Sequence, residues 1–496
     1  MSEVKLPEGW VRKRLGEVCK TTSGGTPSRK DLSYYTGSIP WVKSGELKNG
    51  IIISTEEHIS EEAIKDSSAK IFPSGTLLIA IYGATVGRLA FLGMDAATNQ
   101  AVCGITPGKL LDKNYLYWLL FFKRPQLLDE RAGGAQPNIS QNILRELTIP
   151  LPPIPVQQAI VARIEELFSE LDAGVNELQT ALSRLKIYRQ AVLDWAFEGK
   201  LTTEWRLNNK NSPSGIELLN DIRTSRIVEN DKVGKKTKTI ISINDKDLKF
   251  LFDIPNEWCW VKPEDVCSPE NYSIGIGPFG SNLKVDDYTS SGVPLIFVKN
   301  ITRKNFTLNL RYITDEKFEE LKAHSVKPLD ILVTKMGDPP GDSTIYPEER
   351  PEGIITSDCL KFRVWDSFVE RKYFQYCIES SLIKRQLGLI TQGVAQKKIS
   401  SERFKTLYFP LSSRLEQIQI VSEIEARLSE ADVIEAIIRQ ELVRAENLRQ
   451  SILKQAFEGK LVTAPVNQVE ETESAKIGES VSPHYGSPPG DQLSLF

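Results

Sequence analysis

The chain has 496 residues, 40% of them hydrophobic and 26% charged, a globular composition with room for three or four units of ~100 to 200 residues each. Lys and Arg number 62 against 65 Asp and Glu, for a net charge of -3, which excludes a bulk polyanion binder and leaves nucleic-acid contacts to local patches. No apolar run is long enough to span a bilayer and the Met1 to Lys5 stretch lacks a signal-peptide layout, so the expected location is cytoplasmic; six cysteines without a Cys-x-x-Cys pair and three histidines argue against structural zinc.

In chain order, residues 1–150 read as a mixed α/β domain. Thr76 to Tyr82, Arg88 to Leu92 and Ala101 to Ile105 are predicted strands, and Asn114 to about Arg131 an aromatic-rich helix whose Tyr115 and Trp118 belong in the core. Polar, glycine-rich loops lie between them: Ser23 to Lys30, Trp41 to Gly45, Gly83 to Arg88 and Gly133 to Asn138. Glycine lets backbone approach phosphate, Lys and Arg neutralise it, and Asn, Gln or Arg can read base edges. On that chemistry Arg29, Lys43, Ser44, Tyr82, Arg88, Gln136 and Asn138 are candidate DNA contacts.

Residues 151–201 form a predicted long helix. Prolines at 150, 152, 153 and 155 place its start after Pro155, and Gly199 ends it. Ile164, Leu171, Leu178, Leu185 and Val192 recur every seven positions, a coiled-coil seam about 60 Å long. A connector follows over 202–253; its Lys232, Lys235, Lys236 and Lys238 suggest a solvated linker, with a phosphate-binding strip as the alternative.

The whole arrangement then repeats. Trp258 and Cys267 lie 248 positions after Trp10 and Cys19, whereas Gln396, Gln417 and Phe457 lie 260 after Gln136, Gln157 and Phe197, and Ala-Phe-Glu-Gly-Lys-Leu occurs at both 196–201 and 456–461. The first part of each copy tolerates length change; the helical part keeps strict register. Residues 254–410 are therefore the second mixed domain, with strands Ile331 to Lys335 and Leu360 to Val364, a helix Val369 to about Leu387 in which Tyr373 and Tyr376 match Tyr115 and Trp118, and candidate DNA contacts Ser281, Lys284, Lys299, Asn300, Lys335, Lys397 and Lys398. Residues 411–461 are the second helix, with Ile420, Ile424, Leu428, Ile438, Leu442, Leu448 and Ile452 on its seam; Leu411-Ser412-Ser413 replaces the proline pair at its start. Residues 462–496 have a disordered composition. A pseudo-twofold relation between the copies requires antiparallel helices.

Catalytic signals are missing. Asp338-Pro339-Pro340 is similar to an amino-methyltransferase motif, but Gly341 stands where the base-stacking aromatic belongs. Lys200 and Lys460 lack phosphate-loop spacing.

Leu6-Pro7-Glu8-Gly9-Trp10, Ile149 to Pro153 leading into Gln157, and Gln190 to Leu193 through Gly199-Lys200-Leu201-Thr202 with Trp205-Arg206 resemble the specificity subunits of type I restriction-modification systems. The resemblance covers about residues 4–461. It implies an α+β protein in which two target recognition domains, separated by a long antiparallel coiled coil, read a split and asymmetric double-stranded DNA target. It further implies a non-catalytic chain that docks two methyltransferase subunits and two restriction/translocase subunits, with S-adenosylmethionine, ATP and Mg bound in those partners and no cofactor or metal here. Gln157, Ile164, Leu171, Leu178, Gln417, Ile424, Leu428 and Ile438 are its candidate docking residues. The final Gln492-Leu493-Ser494-Leu495-Phe496 resembles the peptide that docks bacterial proteins on the replicative sliding clamp. The competing readings are a self-contained DNA methyltransferase or nuclease, and a coiled-coil scaffold.

Overall fold

The computed structural model describes residues 6–129, 139–232, 234, 251–337, 340–391 and 398–462. It divides into unit 1, residues 1–180 with 438–496, and unit 2, residues 181–437. Unit 1 carries strands β1 (Val11–Arg14), β2 (Cys19–Ser23), β3 (Ile39–Val42), β4 (Ile51–Ile52), β5 (Glu57–Ile59), β6 (Ile71–Phe72), β7 (Leu77–Ala80), β8 (Leu89–Leu92), β9 (Ala96–Thr98), β10 (Val102–Pro107) and β11 (Thr148–Leu151). Unit 2 carries β12 (Cys259–Val261), β13 (Ile274–Ile276), β14 (Val293–Ile296), β15 (Arg311–Ile313), β16 (Ser325–Val326), β17 (Ile331–Thr334), β18 (Ser343–Ile345), β19 (Gly353–Ile355), β20 (Cys359–Phe362) and β21 (Phe409–Leu411).

The duplication read from residue spacing is a duplication of sheets. Unit 1 has the orders β1-β11, β2-β10-β7-β8-β4 and β5-β3-β9-β6; unit 2 has β12-β21, β13-β20-β17-β18 and β15-β14-β19-β16. Even the parallel pair inside an otherwise antiparallel sheet recurs, β3 with β9 and β14 with β19. Edge strand β4 of unit 1 has no counterpart among the described residues of unit 2.

Helix α1 (Lys113–Asp129) in unit 1 and helices α4 (Arg371–Glu379) and α5 (Ser381–Ile390) in unit 2 back the sheets. The aromatic helix expected over 369–387 is thus two helices. Ser380 sits between them in an extended conformation, its hydroxyl donating to Cys377 O at 2.6 Å. Tyr115 and Tyr373 are fully buried, and each hydroxyl donates to the carbonyl of the matching proline, Pro150 at 3.0 Å and Pro410 at 2.9 Å.

The two long helices, α2 (Ile154–Phe197) and α6 (Arg414–Phe457), are 44 residues each. Helix α2 starts before Pro155, contrary to expectation: the first turn has no intrahelical use for its N–H groups, so proline is tolerated there. Within unit 1 the start of α2 (Ile160, Val161, Ile164, Phe168) shares one core with the end of α6 (Ile452, Leu453, Ala456, Phe457). Within unit 2 the end of α2 (Val192, Leu193, Ala196, Phe197) shares a core with the start of α6 (Ile420, Val421, Ile424). Both pairings are antiparallel.

Ion pairs repeat the relation: Arg189 bonds Asp432 at 2.5 Å and Glu435 at 2.9 Å in unit 2, and Arg449 bonds Asp172 in unit 1 while lying 5.0 Å above the Phe168 ring. Leu448, expected on the seam, is exposed, because Arg449 turns inward to reach Asp172.

Both helices end alike. Gly199 and Gly459 have φ of +74° and +73°, and Lys200 and Lys460 donate back to Trp195 O and Gln455 O, each at 2.8 Å. A Cβ on either glycine would lie 2.4 Å from Pro255 or 2.2 Å from Pro7, so left-handed backbone and close approach both select glycine.

The connector is another correction. Its described part forms two helices that belong to unit 2, one spanning Thr203–Asn208 and one, α3, spanning Gly215–Lys232. Leu219 and Ile222 enter the unit 2 core, and Arg226 lies 5.2 Å above the Trp365 ring. Lys232 is exposed and pairs with Glu229 at 2.7 Å; Lys235, Lys236 and Lys238 lie outside the described residues. No described helix is long and apolar enough to cross a membrane.

Candidate nucleic-acid interface

In unit 1 the reading loops hang on the β5-β3-β9-β6 sheet and the β7-β8 hairpin. Chain reversal after β2 needs glycine: a Cβ on Gly24 would meet Thr98 O at 2.2 Å, and Gly25 donates to that carbonyl at 2.9 Å. Gly25 O accepts from Trp41 Nε1 at 3.1 Å, fixing the loop to a nearly inaccessible indole. This loop delivers Arg29. Register places Glu57 of β5 opposite Trp41 of β3, and Glu57 collects two candidate residues: Arg29 Nη2 at 2.8 Å and Lys43 Nζ at 3.1 Å. Lys43 also bonds Glu56 at 2.7 Å. Partial burial works to raise the Glu57 carboxyl pKa, but hydrogen bonds from Lys43 and Arg29 outweigh it and hold it below the usual carboxylate range.

Ser44 opens a 3-10 turn, Ser44–Glu46, braced by Glu46, which accepts from Lys43 N at 2.6 Å and Thr55 Oγ1 at 2.9 Å. An open cleft of 740 Å³ borders this turn, lined by Lys43, Lys48 and Ile51 to Glu56. Tyr82 is half-buried beyond β7 and hydrogen-bonds the Gln100 side chain. Arg88 follows Gly87 (φ +78°) at the far end of the same hairpin turn. Gln136 and Asn138 lie outside the described residues.

In unit 2 Ser281 and Lys284 are exposed on the loop after β13, and Lys299 is exposed with its ammonium 5.4 Å from the Phe297 ring. Lys335 is half-buried and donates to Ser357 O at 3.1 Å; Met336 bridges Lys398, so these two lysines come from adjacent backbone segments. Lys397 and most of the Asp338-Pro339-Pro340 motif lie outside the described residues. The described Pro340-Gly341 part belongs to the β17-β18 turn, where Gly341 (φ +108°) matches Gly87.

Asn300 is a correction. It is fully buried, accepts from Phe297 N at 2.9 Å and donates to Asn305 O and Leu308 O, each at 3.0 Å, so its amide is committed to the loop and cannot read a base. The docking residues need correction too. Gln157, Gln417, Ile164 and Ile424 are 0% exposed and Ile438 7%; their side chains pack inside their own units and present nothing to another subunit. Leu171, Leu178 and Leu428 are half-buried.

The two glutamines brace each helix to its domain. Gln157 accepts from Asp112 N at 2.8 Å and donates to Leu110 O and Pro152 O; Gln417 accepts from Glu370 N at 2.9 Å and donates to Ser412 O. Buried Ser413 supplies an N-cap hydroxyl to Glu416 N, so the missing prolines leave the start of α6 well formed. Among the described residues no cluster of His, Cys, Asp and Glu could hold a metal ion.

Residues 7–180 match the family described as type I restriction modification DNA specificity domain. The chain belongs to the type I specificity-subunit family. It is 31% identical over 224 residues to the type I restriction enzyme MjaIX specificity subunit of Methanocaldococcus jannaschii, a match covering 43% of this chain and 51% of that one, about half the relative's length. Against the type I restriction enzyme EcoKI specificity subunit of Escherichia coli K12, identity is 23% over 484 residues, covering 93% of this chain and 91% of the relative. The fold matches a solved chain described as "Structural basis underlying complex assembly and conformational transition of the type I R-M system" with TM-score 0.63 and 19% identity, over 92% of this chain and 99% of that one. Family and fold thus agree with the resemblance read from Leu6 to Trp10 and Gln190 to Arg206.

Sequence reading missed Glu57, Tyr35 and Gln100. Nothing local marks Glu57, whose role arises only when β5 pairs with β3. Tyr35 could have been suspected from its place four residues after an Asp N-cap in a polar loop.

Proposed function

We propose that this chain is the non-catalytic, cytoplasmic DNA-recognition subunit of a type I restriction-modification complex, with unit 1 and unit 2 each reading one block of a split, asymmetric target. The observation that carries this is a repeated scaffold bearing unlike loops: the same sheet orders hold Arg29, Lys43 and Tyr82 in one copy and Asn282, Phe297 and Met336 in the other. One scaffold used twice with different donors reads two different words. The equal lengths of α2 and α6 set the unread gap, and two blocks on one face of B-DNA fall ~34 to 36 Å apart. Two methyltransferase subunits supply S-adenosylmethionine and two motor-nuclease subunits supply ATP and Mg chemistry. The Gln492 to Phe496 tail docks on the sliding clamp, a contact tested by binding of the immobilised peptide at micromolar clamp.

The test is to map modified adenines in a host expressing this chain with its methyltransferase. A two-block motif is expected, and replacing 277–398 by the equivalent segment of another family member should change one block only. A single uninterrupted motif, or methyl transfer by the purified chain alone, overturns the reading.

A further inference from the structure

Arg29 is held as few surface arginines are. Its guanidinium carbon lies 4.2 Å from the Tyr35 ring centroid and 5.2 Å from that of Trp41, while Nη2 is tied to Glu57. The platform beneath it is rigid: Tyr35 donates its hydroxyl to Pro27 O at 2.7 Å and stands edge-on to Trp41 at 5.7 Å, and Trp41 is 1% exposed. Yet the Arg29 side chain remains 55% exposed. A planar fork has thus been stacked, oriented along one edge and left open to solvent.

The charge around it decides what it suits. Arg29 and Lys43 face Glu56 and Glu57, two cations against two carboxylates, so the cluster has no net pull on a phosphate. What remains is donor geometry. A guanidinium has five N–H donors, and a fixed fork matches the paired O6 and N7 acceptors on the major-groove edge of guanine. Unit 2 departs at this place. Its loop leaves Gly277, which donates to Cys359 O as Gly24 does to Val102 O, and carries Asn282 at the position of Arg29; β15 puts Arg311 opposite Leu295 where β5 puts Glu57 opposite Trp41.

We propose that Arg29 reads a guanine in the block recognised by unit 1, and that Glu57 is the positioning residue that locks its fork over Tyr35. This rests on the DNA-recognition reading above. The experiment compares modified-adenine maps, in a host expressing the full chain with its methyltransferase, for wild type, R29A, R29K and E57Q, with the melting temperature of each purified complex. R29A and R29K should both lose preference for guanine at one position of one block, by roughly 5- to 150-fold, with the other block untouched; Lys cannot restore a bidentate fork. E57Q should blur the same position to a smaller degree.

If R29A melts like wild type and every position stays as sharp, Arg29 is not a reader. A uniform loss of affinity on all sequences, with a salt dependence shallower by about one ion, makes it a phosphate contact and also overturns the proposal. Should R29A fail to fold, R29K and E57Q decide: an unchanged motif in both refutes it. A wild-type chain with no split motif refutes the recognition reading itself, a failure visible before any substitution is made.

Discussion

Glu416 is the most consequential single side chain outside the loops. It is 2% exposed and accepts three hydrogen bonds: from Thr202 Oγ1 at 2.7 Å, Arg206 Nη1 at 2.6 Å and Trp258 Nε1 at 2.8 Å. Arg206 spends Nη2 on Gly199 O at 2.6 Å and stacks 5.7 Å from the Trp258 ring, so the node ties the end of α2, the helix after it and the start of α6 together within unit 2. Glu416→Ala leaves a largely buried cation and an indole N–H without an acceptor, which costs ~3 to 5 kcal/mol for such a pair. The expected loss is about 3 kcal/mol of local stability, or roughly a hundredfold faster hydrogen exchange for amides that open with the node. Exchange measured by mass spectrometry on the intact chain should show it at 199–208 and 258–261. The corresponding position in unit 1 is Val156, so amides at 10–14 serve as an internal control. Adding Arg206→Ala should cost less than the two single losses together. A rise below about threefold, or an equal rise in both units, would sink the account.

Burial of Lys361 lowers its amine from the ordinary 10.5 to about 8, and it donates to Ala323 O and Ser325 O. Between those two pH values the unfolded chain binds the extra proton, so stability should rise with pH from about 8 to 10.5 and be lost as pH falls through 8, by about 3 kcal/mol; the difference between wild-type and Lys361→Met unfolding curves should carry this slope, and a flat difference refutes it. Arg449→Ala should destabilise its unit by roughly 2 kcal/mol or more and Arg189→Ala by less than about 1, because the Arg449 pair is the more buried, 8% and 29% exposed against 27% and 70% for Arg189 and Asp432; local exchange rates compare them. Asn300→Ala should cost about 2 kcal/mol, read by thermal melting, and leave the recognised bases unchanged, since its amide is used wholly by the loop.

Much of this molecule is legible in one dimension because it is written twice. Tyr115 with Tyr373 and Gln157 with Gln417 could be aligned before any fold was known, and the structure gives each pair the same hydrogen bonds. Heptad spacing located the long helices, since a seam forces periodicity. What escaped was whatever depends on partners distant in the chain. Glu57 acquires meaning from strand pairing, Asn300 looks like a reader until its three bonds are seen, and Arg449 breaks the heptad because an acid 277 residues away draws it inward. The helix α3 hid in a charged stretch whose few apolar positions suffice for one buried face.

The glutamine braces have a mechanical meaning. Each clamps the first turn of a 44-residue helix to backbone beside the helix or chain segment that backs a sheet, using N–H and C=O groups that every amino acid possesses. Because the joint grips main chain, and no loop side chain takes part in it, evolution can rewrite the reading loops freely while the handle stays fastened to the tool.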